Sequence, residues 1–209
     1  MRIDTVIFDF GGVLYNTPDM KGLKCWQKLL GFKNDPVVSA FIVDPTNSQM
    51  FWDVMVGRVE EKEVWDLLAG HWKIPSRLLS RIRQSMMSKR RLNKYLTQYL
   101  GNLRKNYKTA ILSNAGNEMR YAMEDILGLD NYVDEIIISA EEGCAKPDHA
   151  LYEIAISRLK TTAEGCVFVD DLIVNIKAAQ ELGMETIHYK DNEQVIVRLE
   201  KILGRGALS

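Results

Sequence analysis

The sequence predicts a doubly wound, mostly parallel α/β sheet with a small all-helical cap inserted after the first strand. Five short apolar runs rich in β-branched residues predict the strands, amphipathic segments between them predict helices, and one long interval without a strand predicts the cap. Apolar runs with little polar alternation are typical of strands buried on both faces of a parallel sheet. The runs are Thr5–Phe10, Thr109–Ser113, Glu135–Ser139, Cys166–Asp170 and Glu185–Tyr189.

Helical stripes separate the later strands, so that strand and helix alternate as right-handed crossover connections require. Gly183 follows the second stripe at the place where a C′ glycine would end the helix. The stripes consist of Leu151, Ile154, Ala155 and Leu159, and of Ile173, Ile176, Ala179 and Leu182.

The interval from residue 17 to residue 91 contains amphipathic helical patterns and no good strand. We therefore predict a core domain of residues 1–16 and 92–209 and a helical cap domain of residues 17–91. Gly57 indicates a tight turn between cap helices, which leaves Arg58 either near the ligand crevice or on the plain surface. The predicted cap stripes are Leu23, Trp26 and Leu30, then Val64, Leu67 and Leu68, then Leu78, Ile82 and Met86.

Composition and charge argue against several classes of function. A formal net charge of −1, from 27 Lys and Arg against 28 Asp and Glu, gives no global attraction to nucleic acid or to an anionic membrane, so we expect neither partner. No stretch approaches the roughly 18 apolar residues of a membrane helix. An odd count of three distant cysteines, and an N-terminal run broken by Asp9 instead of a signal peptide, predict a cytoplasmic protein with reduced thiols.

Polar and charged residues stand where the predicted strands end. Ligands of open parallel sheets bind just beyond the carboxyl ends of the strands, so these groups are expected around one crevice. Singly, each is explained as a turn or capping residue. Together, three carboxylates would repel one another unless a cation lay among them, and hard oxygen ligands without His or Cys favour Mg²⁺. A lysine and a helix N-terminus nearby suit a phosphate. The groups are Asp9, Ser113, Asn114, Lys146, Asp170 and Asp171.

Four short motifs occur in order along the chain: "DFGGV", "SN", "KP" after "EEGCA", and "VDDLIVNIKAAQELGM". With these motifs the sequence resembles the haloacid dehalogenase superfamily, in the branch whose helical cap follows the first strand. The resemblance covers essentially the whole chain and implies a Rossmann-like core. Any one motif is weak, but four in order at strand ends are specific.

The resemblance implies a nucleophile and a metal site. Asp9 corresponds to the nucleophile that forms an aspartyl-phosphate, and its carboxylate binds Mg²⁺ together with the backbone oxygen of Gly11. Asp170 and Asp171 correspond to the acidic pair that holds the metal, with Asp171 favoured as the direct ligand. Asn175, one helical turn after Asp171, either makes hydrogen bonds within the loop or is a helix-surface residue.

The resemblance also implies a phosphate site. Ser113, with Asn114 beside it, corresponds to the hydroxyl that holds a phosphoryl oxygen, and Lys146 to the cation that neutralises nucleophile and phosphate. The family's phosphatases mostly carry an acid/base Asp where this chain has Gly11, and losing such a group typically costs on the order of 10²–10⁴ in rate. His149 is the first candidate to replace it, although a His at a helix start is more often a solvated or capping residue.

Three functions remain open. The favoured one is a Mg²⁺-dependent phosphatase acting on a small phosphorylated metabolite, and branches resembling sugar-1-phosphatases also read Asp-x-Gly at the first motif. The second is a phosphate-binding protein with little turnover. The third is a 2-haloacid dehalogenase, whose carbon–halogen chemistry does not use the acid that is missing at Gly11. The family's dehalogenases carry no metal, however, and have an aromatic residue in place of Gly11, and the acidic pair Asp170 and Asp171 argues against this function.

Overall fold

The computed structural model describes residues 2–16, 48–87 and 91–204, with only the backbone described for residues 82–87. Five parallel strands form one sheet in the order β3-β2-β1-β4-β5. The sheet confirms the predicted fold class. The strands are β1 (Thr5–Phe8), β2 (Lys108–Ser113), β3 (Glu135–Ile138), β4 (Cys166–Asp170) and β5 (Glu185–His188).

Helices connect the strands and build the part of the cap that is described. Gly183 has a φ of +94°, and the N–H of Met184 donates to Ala179 O, so this glycine ends its helix as predicted. The helices are α1 (Gln49–Met55), α2 (Glu61–Trp72), α3 (Ser76–Met87), α4 (Lys94–Leu103), α5 (Met119–Tyr121), α6 (Ser139–Glu142), α7 (His149–Arg158), α8 (Ile173–Glu181) and α9 (Asn192–Ile202). A π-helical segment occupies Ala122–Ile126, and single 3₁₀ turns occupy Leu129–Asn131 and Ala163–Gly165.

Both faces of the sheet are covered, which explains why the strands are apolar throughout. Val6 and Phe8 of β1 face one hydrophobic cluster and Ile7 faces the other, because successive strand residues point to opposite faces. Each fully buried aliphatic side chain contributes about 1.5–3 kcal/mol, so these two layers hold the sheet that carries the polar site. The covering side chains include Leu96, Leu100, Leu103, Val195 and Leu199 on the first face and Leu151, Tyr152, Ala155, Ile176 and Ala179 on the second.

The strand register brings the carboxyl ends of the three central strands to one level. Phe8 of β1 pairs with Ile111 of β2 and with Val169 of β4. The next residue on each strand path, which is Asp9, Leu112 or Asp170, therefore lies at the same height above the sheet. This alignment positions the candidate site.

The described cap has a small hydrophobic core of its own. Val64 and Leu68 are buried there with Val54, but the predicted stripe is wrong at Leu67, which is 58% exposed because it lies outside the narrow face that α2 turns toward its neighbours. The predicted stripe of Leu23, Trp26 and Leu30 lies outside the described residues. None of the described helices is both long and apolar enough to cross a membrane.

The chain leaves the core and returns to it side by side. Tyr15 forms an antiparallel bridge with Leu92, and the N–H of Asn16 donates to Arg91 O. These contacts lie next to the predicted boundaries of the cap at residues 17 and 91, and the division of the chain into core and cap stays a prediction.

Candidate active site

Lys146 joins the ends of the three central strands. Its Nζ donates to Asp9 Oδ1 at 2.7 Å, to Asp170 Oδ2 at 2.8 Å and to the backbone oxygen of Leu112 at 2.8 Å. The lysine is only 2% exposed. Three acceptors satisfy the three N–H bonds of an ammonium group, which makes burial of this charge tolerable.

Asn114 fixes the backbone of the lysine. Its side-chain oxygen accepts from the N–H of Lys146 at 2.8 Å, and its side-chain nitrogen donates to Lys146 O at 2.7 Å. The peptide bond between Lys146 and Pro147 is cis. The loop after β2 thereby positions the residue that carries the buried cation.

Asp170 is fully engaged by neighbouring donors. Besides Lys146, it accepts from the N–H of Leu172 at 2.7 Å and from the side-chain nitrogen of Asn175, which lies 3.1 and 3.0 Å from its two oxygens. Asn175 is 3% exposed, and its own backbone oxygen accepts from the hydroxyl of Tyr152. Asn175 therefore makes hydrogen bonds inside the loop and is not a helix-surface residue, which was the other alternative from the sequence.

Asp171 lies differently from Asp170, because it is half-buried and closely flanked by the chain after β1. A Cβ at Gly12 would lie 2.1 Å from Asp171 Oδ2, and Gly12 itself has a φ of +85°. His188 at the end of β5 holds the same loop, with its Nε2 2.9 Å from Asp171 O. Carboxylate oxygens of Asp9, Asp170 and Asp171 all lie within 4.8 Å of one another.

The cluster has more negative than positive charge, since it contains three carboxylates and one ammonium group, that of Lys146, which contacts two of them. Burial raises the pKa of Asp9 to about 7 even though Lys146 opposes that rise. Burial, followed by repulsion from Asp170, also raises the pKa of Asp171. Burial works to lower the pKa of Lys146, but the two carboxylates that it contacts hold this pKa above its usual value. A further cation would relieve the remaining repulsion.

We expect Gly12→Ala to destabilise the protein by about 1–3 kcal/mol, from the positive φ and from displacement of Asp171. Urea unfolding measures the loss. Gly143→Ala is the matched control, because Gly143 has a φ of +72° but no atom within 4 Å of its Cβ position. Equal losses in the two variants would show that the contact with Asp171 contributes nothing.

The other predicted site residues lie in different surroundings. Ser113 ends β2 and is 2% exposed. It directly precedes Asn114, whose side chain makes two hydrogen bonds with the backbone of Lys146. Gly11 is exposed, with no atom within 4 Å of its Cβ position. His149 begins α7 on the surface, where its Nε2 lies 3.0 Å from Glu181 Oε2, and its assignment as the replacement acid/base stays a prediction.

Sequence reasoning missed three contacts that shape the site. These are the backbone oxygen of Leu112 as an acceptor for Lys146, the approach of Gly12 to Asp171, and the contact of His188 with the Asp171 backbone. The pair of adjacent glycines in the first motif could have indicated that another residue approaches the backbone of Gly12 closely. A backbone acceptor has no sequence signal.

The sheet order and the acidic cluster at the carboxyl ends of the strands are those of an open-sheet α/β protein, a class whose ligands bind at this edge. Within this class the chain belongs to the haloacid dehalogenase-like hydrolase family, whose pattern matches residues 6–189. The match runs from β1 to the residue after β5.

Relatives within the family differ in length. The chain is 28% identical to a mouse protein named acyl-CoA dehydrogenase family member 10, over 95% of this chain but only 19% of that protein. It is 25% identical to the sesquiterpene phosphatase AstK of Aspergillus oryzae, over 95% of both chains. A HAD family enzyme from Bacteroides thetaiotaomicron, solved with magnesium and inorganic phosphate, shares the fold with a TM-score of 0.78 at 19% identity, covering 94% of this chain and 99% of that one.

Proposed function

We propose that the protein is a Mg²⁺-dependent phosphatase that hydrolyses a small phosphomonoester through an aspartyl-phosphate on Asp9. The observation that carries this proposal is the buried Lys146, which donates to both Asp9 and Asp170. A carboxylate oxygen of Asp171 lies within 4.8 Å of oxygens of these two residues. The arrangement supplies a nucleophile, a cation that can bind a phosphoryl group, and a set of hard oxygen ligands whose net charge is negative.

The residues present fit a magnesium ion. Mg²⁺ prefers oxygen ligands, and the cluster contains no His or Cys among its three members. Because the donors around Asp170 occupy both of its oxygens, we assign direct ligation to Asp9, Asp171 and the backbone oxygen of Gly11, with Asp170 holding Lys146 and the loop in place. When bound, the ion would neutralise phosphoryl oxygens and lower the repulsion that the nucleophile meets.

The protein groups then act in a defined order. Ser113 and the amides after it bind phosphoryl oxygens, and Lys146 balances the charge of phosphate and nucleophile. Asp9 Oδ attacks phosphorus while the bond to the substrate oxygen breaks, which releases an alcohol. Water then attacks the phosphorus of the aspartyl-phosphate, and release of phosphate regenerates the Asp9 carboxylate.

The substrate is proposed as a small phosphorylated metabolite, with sugar phosphates as one class to test. Two observations favour testing an apolar alcohol as well: the relative named a sesquiterpene phosphatase, and three neighbouring apolar side chains after Asp171 that are 50–53% exposed. These are Leu172, Ile173 and Val174. Exposed apolar residues next to a polar site suit a ligand whose far end is apolar.

We expect phosphate release from an activated aryl phosphate that requires Mg²⁺ and stops with EDTA. A panel of sugar phosphates and prenyl monophosphates, with glucose-1-phosphate included, then ranks the substrates by kcat/KM. If turnover is absent but phosphate with Mg²⁺ still raises the Tm, the phosphate-binding alternative replaces the proposal. Halide release from a 2-haloacid without metal would support the dehalogenase alternative.

A further inference from the structure

The first motif leaves space where the family's phosphatases carry an acid/base group. Gly11 has no side chain, and no atom lies within 4 Å of the position that its Cβ would occupy. The leaving alcohol of a phosphomonoester needs a proton, and the attacking water must lose one. A group from another part of the chain is required for efficient turnover.

The cap meets the core beside the loops that end β2 and β3. A Cβ at Gly57 would lie 2.2 Å from Ala140 O, so the turn between α1 and α2 presses directly on the segment after β3. A Cβ at Gly116 would lie 3.3 Å from Val54 Cγ1. Gly116 follows Ser113 by three residues and is buried beneath these cap residues.

Glu61 is the acidic side chain that the cap places at this contact. Its Oε2 lies 3.7 Å from the Cβ position of Gly116, and its Oε1 accepts from Trp65 Nε1 at 3.0 Å. Trp65 packs against the cap core, so this hydrogen bond fixes the carboxylate to a rigid element.

We propose that Glu61 supplies the acid/base function absent at Gly11, delivered from the cap instead of from the first motif. This assignment rests on the phosphatase function proposed above. Catalytic hydrogen bonds are often long in ligand-free structures and shorten when the substrate binds. Movement of the cap toward the core would bring the Glu61 carboxylate closer to the substrate.

The proton balance is complete with water as the only co-reactant. In the first step Asp9 bonds to phosphorus, the phosphorus–oxygen bond to the alcohol breaks, and the carboxylic acid of Glu61 gives its proton to the departing oxygen. In the second step the Glu61 carboxylate takes a proton from the water that attacks phosphorus. The bond from phosphorus to Asp9 breaks, phosphate leaves, and both carboxyl groups return to their starting states.

The test compares leaving groups in Glu61→Gln. A nitrophenolate leaves without a proton, whereas an alkoxide does not, so the loss should depend on the substrate. We expect kcat/KM for an alkyl phosphate to fall by about 10²-fold or more, and that for nitrophenyl phosphate by less than about 10-fold. Glu63→Gln is the matched control, since Glu63 lies in the same first turn of α2 but is exposed.

Two outcomes would overturn the assignment. Equal losses for both substrates would indicate a structural role of Glu61, and unchanged rates would indicate none. A second variant gives an independent readout: Gly11→Asp in the Glu61→Gln background, for which the open space at Gly11 leaves room, should restore alkyl phosphate turnover. Failure of the wild type to release phosphate from any substrate would instead refute the phosphatase function itself.

Discussion

Asp9→Asn should abolish phosphate release, with kcat reduced on the order of 10³-fold or more, because the amide cannot form the aspartyl-phosphate. Asparagine matches aspartate in size and keeps an oxygen that can accept from Lys146 Nζ, which lies 2.7 Å from Asp9 Oδ1. The loss should therefore reflect chemistry and not unfolding. Steady-state release of phosphate from nitrophenyl phosphate at saturating Mg²⁺ measures it.

The same substitution should stabilise the metal-free protein at alkaline pH. Burial raises the pKa of Asp9 in the folded protein to about 7, well above its ordinary value of 3.8. The folded state thus binds this proton more tightly than the unfolded chain, and the associated stability is complete below pH 3.8 and lost as the pH rises through about 7. Metal-free wild type should lose stability between pH 6 and pH 8, and Asp9→Asn should lose less.

Asp125→Asn, on the exposed surface, is the control for the general effect of removing one negative charge. Urea unfolding at pH 6 and pH 8, with EDTA present, gives the free energies of unfolding of wild type and both variants. A pH slope of Asp9→Asn equal to that of the wild type would contradict the raised pKa of Asp9. Retained turnover would contradict its role as nucleophile.

The sequence predicts the sheet and the strand-end groups well, because both follow from local patterns. Apolar runs locate the strands within a few residues, although β1 ends at Phe8 and not at Phe10, since the chain turns away toward the bend at Gly12. Once the strands are parallel, their carboxyl ends share one edge, and the pairing of β1 with β4 brings Asp9 and Asp170 together there.

The different contacts of the two adjacent aspartates in the acidic cluster could not be predicted from residue types. Asp170 and Asp171 are adjacent and identical, yet Asp170 is tied to Lys146 and Asn175 while Asp171 stays half-buried beside Gly12. The end of β4 at Asp170 decides this, because Asp171 already lies in the bend that follows the strand.

The position of the cap residue Glu61 beside Gly116 could not be predicted from the sequence either. The contact of Glu61 with Gly116 joins residues that are far apart in the sequence, and its geometry depends on how the turn at Gly57 meets Ala140. Periodicity gave α2 its buried face through Val64 and Leu68, but periodicity carries no information about which end of a helix faces the core domain.

Lys146→Met should be the most destabilising single change at the site. It removes the cation between Asp9 and Asp170, whose side chains are 9% and 0% exposed, and leaves their charges uncompensated. Breaking a buried ion pair by removing one partner typically costs about 3–5 kcal/mol. We also expect phosphate release to fall to background, since no ammonium group remains to balance the phosphoryl charge.

The cost should depend on pH and on the second partner. Without the lysine the pKa of Asp9 must rise further, so Lys146→Met should be less destabilising at pH 5 than at pH 8, where keeping this carboxyl group protonated in the folded state costs free energy. Combining it with Asp9→Asn should recover part of the lost stability, and the double-mutant cycle gives the coupling between the two residues. Lys108→Met is the matched control, because Lys108 also donates to a backbone oxygen but lies on the surface. A loss no larger than that of Lys108→Met, or one independent of pH, would mean that Lys146 does not hold the three strand ends together.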